Sequence, residues 1–248
     1  MQKKGPSGPF LIPPAILINI KMYKLVAFDA YGTLFDVFSM GQLVENFYSV
    51  NGEAFALMWR DRQIEYTRLT TMSDPNPHGS KYYLPFWEIT LRSLRYVCKR
   101  FNLDLTNEIE MSLMHHYEKL ASFEDSLSVL KALSEKGINT AILSNGSRDM
   151  LAKVVEINGL KPYLNKVVTV EEVRLFKTAP QAYELLLKEF SCQKNEVLFI
   201  SSNAWDALAA KWFGYDVFWV NRLGHPFEEI GQKPTYEGKS LTEILSVI

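Results

Sequence analysis

Cysteine is scarce in this chain: only Cys98 and Cys192 occur in 248 residues, far apart and each alone. Neither a disulfide framework nor a cysteine-based zinc ribbon can be built from them, and a reducing cytoplasm is the expected setting. Charge of one sign is also missing. Lys and Arg total 27 against 28 Asp and Glu, a formal net charge of −1. A dedicated nucleic-acid binder needs a basic surplus, so that partner class is excluded. No apolar run approaches the roughly 20 residues of a membrane span. The nearest, residues 10–20, is interrupted by Pro13 and Pro14, and no small-residue cleavage site follows it. Residues 1–21 are therefore expected to be a flexible leader or the product of an upstream start codon, with Met22 opening the domain. The rest is ordinary globular material, 47% hydrophobic and 13% aromatic, in a length that suits one or two domains.

Three compact apolar runs end in small polar residues. Residues 24–28 are closed by Asp29, 139–143 by Ser144-Asn145-Gly146-Ser147, and 197–200 by Ser201-Ser202-Asn203. Runs apolar on both faces, separated by helical patterns, predict parallel strands covered by helices on both sides. Further strands are expected at 166–170 and 216–220. Helices are expected at 125–136 and 148–158, each followed by a glycine stop, at 180–190 with Pro180 in the first turn, and at 204–213 before Gly214. The fold class is α/β, a doubly wound Rossmann-like parallel sheet core formed by residues 22–36 plus 122–248. Residues 37–121 hold no convincing strand. Helical patterns at 41–49, 52–69, 84–101 and 107–120 predict an inserted helical cap domain, or lid, with a loop at 73–80. In open parallel sheets ligands sit outside the carboxyl ends of the strands. Asp29, Ser144, Asn145 and residues 201–206 therefore converge on one place.

A carboxylate ending a buried strand must be hydrogen-bonded or paired with a cation. Taken alone, Asp29 is divided between capping the turn around Gly32 and a catalytic role. Its context decides more. Phe28-Asp29-Ala30-Tyr31-Gly32-Thr33-Leu34-Phe35 resembles the first motif of the haloacid dehalogenase superfamily. Leu143-Ser144-Asn145-Gly146-Ser147, then Lys177, then Ser201-Ser202-Asn203-Ala204-Trp205-Asp206 follow in the matching order. Residues 57–60, 63–67 and 227–232 extend the similarity to the L-2-haloacid dehalogenase branch. Phosphatases of the superfamily carry a second acid two residues after the nucleophile and bind Mg²⁺. Here that position is Tyr31, which cannot protonate an alkoxide at neutral pH without a large pKa shift. A halide leaves as a weak base and needs no proton.

The resemblance implies hydrolytic dehalogenation of short-chain (S)-2-haloalkanoic acids to 2-hydroxy acids with inversion, through an aspartyl ester and with neither metal nor other cofactor. It assigns Asp29 as nucleophile and Lys177 as its cation, with Thr178 standing where proline usually follows. Thr33 and Ser201 would position Asp29 or the hydrolytic water. Asn203 and Asp206 would orient that water and Lys177, Asp206 forming a partly buried pair with Lys177, and Tyr183 would donate to the carboxylate or the water. Arg60, Asn145 and Trp205 would cradle the halide, while Ser144 and the amides after Tyr31 would hold the substrate carboxylate. Tyr31, Ile64, Phe86 and Trp205 would bound its size.

Two departures bear on the pocket. Asp61 replaces a common neutral amide, and the 73–80 loop is longer than usual, enough to reshape the entrance. His78, His115, His116 and His225 fall outside the motifs and suggest no metal site. The expected partner is a small 2-halocarboxylate, with neither nucleic acid nor membrane, and the assembly a homodimer. A superfamily phosphatase and a catalytically silent carboxylate-binding relative are the rival readings.

Overall fold

The computed structural model describes residues 22–248, so the expected leader lies outside the described residues. Six strands form one parallel sheet in the order β3-β2-β1-β4-β5-β6. They are β1 (Leu25–Phe28), β2 (Asn139–Ser144), β3 (Lys166–Thr169), β4 (Val197–Ser201), β5 (Asp216–Val220) and β6 (Tyr236–Gly238). The first five lie within a residue or so of expectation. The sixth was not foreseen, because Tyr236-Glu237-Gly238 offers no apolar run; pairing with β5 makes it a strand.

Alternate residues of each strand serve different cores, as a period of two requires. On β1, Leu25 and Ala27 pack beneath α7 (Pro180–Phe190) and α8 (Ala204–Phe213), while Val26 and Phe28 face α5 (Glu124–Glu135) and α6 (Arg148–Ile157). Burying each such Val, Leu or Phe contributes about 1.5–3 kcal/mol, which is why apolarity on both faces marks these runs. The chain order reverses between β1 and β4. At that switch point neighbouring strand ends feed helices on opposite faces and leave a crevice.

The helical segment leaves and re-enters the core at one place. Asp36 N donates to Ala121 O at 2.8 Å and Phe123 N to Leu34 O at 2.9 Å, with Phe35 bridged to Ser122. Between them run α1 (Met40–Glu45), α2 (Gly52–Met72), α3 (Phe86–Arg100) and α4 (Asn107–Tyr117). Asn51 caps α2 by accepting from Ala54 N, and Thr106 caps α4 by accepting from Ile109 N. Two helices stop short of their patterns because the chain tightens into turns, Phe47 and Tyr48 folding back on Val44, and Glu118 and Lys119 on His115 and His116. The 73–80 loop does not line the active-site cavity. Ser80 N donates to Arg174 O at 3.1 Å, so the loop fastens the end of α2 to the core.

Helices α1 and α2 touch backbone to backbone. A Cβ added at Gly52 would lie 2.1 Å from Gly41 O. Since that neighbour is main chain, only a backbone shift relieves the clash. Gly52→Ala should destabilise the protein by about 1–3 kcal/mol and lower Tm by several degrees in a thermal melt; an unchanged Tm would show that the crossing is looser than described.

Candidate active site

The site begins where β1 ends. Asp29 N donates to Ile200 O at 2.8 Å, which carries the ladder one residue past the strand and turns the carboxylate into the switch-point crevice. Gly32 then takes φ +90°, a conformation that side chains beyond glycine rarely adopt. The resulting turn brings Leu34 N and Phe35 N back to Ala30 O and sets Thr33 beside the carboxylate it follows. Thr33 Oγ1 donates to Asp29 Oδ2 at 3.1 Å and accepts from Ser202 N at 2.8 Å, tying the end of β1 to that of β4.

At the centre is one ammonium shared by two carboxylates. Lys177 Nζ lies 3.0 Å from Asp29 Oδ1 and 2.9 Å from Asp206 Oδ2. Exposure is 6% at Asp29, 2% at Lys177 and nil at Asp206. The expected partly buried pair is therefore fully buried, because α8 packs Asp206 beneath the strand ends. Every remaining lone pair of consequence has a donor. Asn203 Nδ2 donates to Asp29 Oδ2 at 2.7 Å, Tyr183 Oη to Asp206 Oδ1 at 2.7 Å, and Ser201 Oγ to Asp206 Oδ2 at 3.1 Å. Ser201 thus serves Asp206 rather than Asp29, and Tyr183 donates to a protein carboxylate. Burial disfavours the Lys177 ammonium, but Asp206 and Asp29 outweigh it and its pKa is raised above the ordinary 10.5. Burial likewise pushes the Asp206 carboxyl upward, with the Lys177 charge opposing.

Lys177 comes from the loop between β3 and α7. Its backbone N donates to Asn145 Oδ1 at 2.9 Å, and Phe176 N donates to Thr71 Oγ1 at 3.1 Å. These anchors on the β2 end and on α2 present the amine although Thr178 follows it. Asn145 is thereby committed, through its carbonyl oxygen, to the lysine loop. Ser144 is buried, and its Oγ accepts from Gly146 N at 3.0 Å.

Helix α2 brings Arg60 to the same place. Arg60 Nη2 donates to Tyr31 O at 3.2 Å, and that carbonyl also accepts from Asn203 at 3.1 Å. The Tyr31 ring is buried against Phe86 at 6.0 Å and Tyr117 at 5.6 Å. Its hydroxyl has no hydrogen-bond partner, and burial holds its pKa well above 10.0. An open cavity of about 600 Å³ lies alongside, walled by Arg60, Ile64, Asn203, Trp205, Arg222 and His225 among others. Asp61 stands exposed at its rim. Phe86, by contrast, stacks on Tyr31 and does not line this cavity. Arg68 lies over the Trp205 ring, 5.6 Å from its centroid.

Sequence reasoning gave no role to three residues here. Gln63 and Tyr117 form a buried polar cluster with Arg60; the only signal was a glutamine three residues after the arginine on an inward helix face. Phe199, a core residue by every sequence criterion, places its ring 4.9 Å from Lys177 Nζ. Among the described residues no group of three or more His, Cys, Asp or Glu is arranged to hold a metal.

Comparison with known proteins agrees with this geometry. A family model for haloacid dehalogenase-like hydrolases matches residues 23–214. Haloacetate dehalogenase H-2 of Moraxella sp. (strain B) is 35% identical over 92% of this chain and 99% of its own. An (S)-2-haloacid dehalogenase of Pseudomonas sp. (strain YL) is 35% identical over 90% of this chain and 94% of its own. Among solved structures, an L-2-haloacid dehalogenase is 43% identical with TM-score 0.87, covering 91% of this chain and 98% of that one. The enzyme of Xanthobacter autotrophicus with chloropropionic acid covalently bound is 30% identical with TM-score 0.83, over 91% and 98% of the two chains. The chain belongs to the haloacid dehalogenase-like hydrolases, in their L-2-haloacid dehalogenase branch.

Proposed function

We propose that the protein hydrolyses short-chain (S)-2-haloalkanoic acids to 2-hydroxy acids with inversion at C2. One observation carries this reading: a strand-terminal carboxylate accepts hydrogen bonds from Lys177, Thr33 and Asn203, with Tyr31 where a second acid would be needed to protonate an alkoxide. Asp29 attacks C2 opposite the halogen; the new C–O bond forms as the carbon–halogen pair departs with the halide. Arg60, on the cavity side, stabilises that anion, and Ser144 with the amides after Tyr31 holds the substrate carboxylate. Esterification removes the Asp29 charge, leaving Lys177 paired with Asp206. Water oriented by Asn203 then attacks the Asp29 carboxyl carbon, giving a proton to Asp206; as the bond from that carbon to the substrate oxygen breaks, Asp206 returns the proton to the departing alkoxide, the 2-hydroxy acid leaves, and the regenerated Asp29 carboxyl gives up the second proton to water.

The close chain entry and exit at Asp36 and Ala121 support a division into a core of 22–36 plus 122–248 and a lid of 37–121, with α2 delivering Arg60. The exposed Leu69 and Met72 on α2 support a homodimer, and the free buried cysteines a reducing cytoplasm. Among the described residues no helix is long and apolar enough to cross a membrane.

The direct experiment follows halide release from (S)- and (R)-2-chloropropionate with and without a chelator. Release from the S acid alone, unaffected by the chelator, is expected. Cleavage of p-nitrophenyl phosphate only with added Mg²⁺, and of neither chloroacid, would establish a phosphatase instead; ligand binding without any halide release would point to a silent relative.

Asp29→Asn should lower turnover on the order of 10⁴-fold or more, since an amide is a poor nucleophile. A single turnover in ¹⁸O-water should label the Asp29 carboxylate; label in the product alone would mean that water attacks C2 directly.

The raised Lys177 pKa also sets an alkaline limit. The stabilisation it supplies is complete below 10.5 and is lost as pH rises through the higher folded value. Halide release should therefore persist to about pH 10; a pH–rate profile falling near pH 8 would contradict a charged, doubly paired lysine.

A further inference from the structure

A buried amide costs free energy unless each of its polar atoms finds a partner. Gln63 is 1% exposed on α2, among Phe55, Trp59, Ile64 and Thr67. Its amide is fixed by three neighbours. Gln63 Nε2 donates to Thr90 Oγ1 on α3 at 3.0 Å, and the Thr90 hydroxyl donates in turn to Phe86 O at 2.8 Å. Gln63 Oε1 accepts from Tyr117 Oη on α4 at 3.2 Å and from Arg60 Nη1 at 3.4 Å. A guanidinium has donors only, so the amide oxygen must face Arg60 and the nitrogen must face Thr90. Trp59 Nε1, bonded to Thr90 O at 2.9 Å, fixes that turn of α3.

The chain of bonds therefore runs from α3 and α4 through Gln63 and ends on the guanidinium. The other hold on Arg60 is Tyr31 O, on the turn that follows the nucleophile. Arg60 and Gln63 are three residues apart and share a helix face, so the pair spans the joint between α2 and the β1 turn. Arg60 carries five N–H donors, and a rotation of its plane would move those that face the cavity.

We infer that Gln63 is a positioning residue for dehalogenation: through its Oε1 it sets the plane of Arg60 so that guanidinium N–H groups point at the departing halide. The inference rests on the proposed function, in which Arg60 meets that anion. It also separates Gln63 from a glutamine that only fills the helix interface. Chloride concentrates its charge more than bromide and is the poorer leaving group, so it draws more on a well-aimed donor as the bond breaks. Loosened packing would slow both substrates alike.

The test measures kcat and KM of the full chain for (S)-2-chloropropionate and (S)-2-bromopropionate. A hydrogen bond to a charged group is worth about ten- to a hundredfold, so Gln63→Met should lower kcat on the chloro acid by about that factor. The loss on the bromo acid should be several-fold smaller, with KM little changed. Gln63→Glu keeps an oxygen for both Arg60 and Tyr117 and should restore the rate to within a few-fold. Should Gln63→Met fail to fold, Thr90→Val removes the partner that orients the amide and should shift the chloro-to-bromo ratio in the same direction. Equal losses on both acids, or none, in a folded variant would overturn the inference while the function stands. Wild-type protein inactive on both acids would overturn the function, and the inference with it.

Discussion

The site depends on Lys177 standing between two carboxylates that water barely reaches. Two acids and one base leave a net negative charge in a place where desolvation penalises every ion, and the arrangement survives because each oxygen has donors. Truncating one member of a buried ion pair typically costs about 3–5 kcal/mol, so the electrostatics of the reaction and the stability of the core are here the same interaction. The asymmetry is chemical as well. Asp206, with no exposure, is enclosed by Lys177, Tyr183 and Ser201, whereas Asp29 retains a small exposed fraction.

The sheet order explains why these groups meet. Asp29 follows β1, and Ser201 to Asp206 follow β4, the strands on either side of the switch point. The crevice there needs no special device, since consecutive strand ends diverge to helices on opposite faces. Lys177 arrives from the β3–α7 loop, steadied by Asn145 from the end of β2 and, one residue earlier, by Thr71 of α2. The inserted helical segment thus reaches the site by hydrogen bonds from α2, through Arg60 on the Tyr31 carbonyl and through Thr71 on the lysine loop, and by the Phe86 and Tyr117 rings packed on Tyr31. A movement of α2 would disturb both Arg60 and the loop that carries the lysine paired with Asp29.

Much of this was legible beforehand for physical reasons. Parallel strands buried on two faces read as short apolar runs, and polar residues that end such runs have one place to go, so Asp29, Ser144 and Ser201 were found by pattern alone. Lys177, Arg60 and Trp205 carry no local signal that distinguishes them from surface or core residues; only the resemblance singled them out. Strand β6 was hidden because its three residues are made a strand by a neighbour. Gln63 and Tyr117 were hidden because a helix face records burial but not which buried polar atoms find one another.

The amino-acid order alone determined the alternation of strands and helices, the inserted helical segment and the strand-end acid, because these follow from periodicity, turn chemistry and local sterics. Tertiary structure decided the rest. It determined that Ser201 and Tyr183 serve Asp206, that the lysine pair is sealed from solvent, that the 73–80 loop fastens α2 to the core rather than shaping the cavity, and that Phe86 stacks on Tyr31. Each of these turns on distances between residues remote in the chain, which depend on how helices pack over the sheet and which no stretch of sequence encodes by itself.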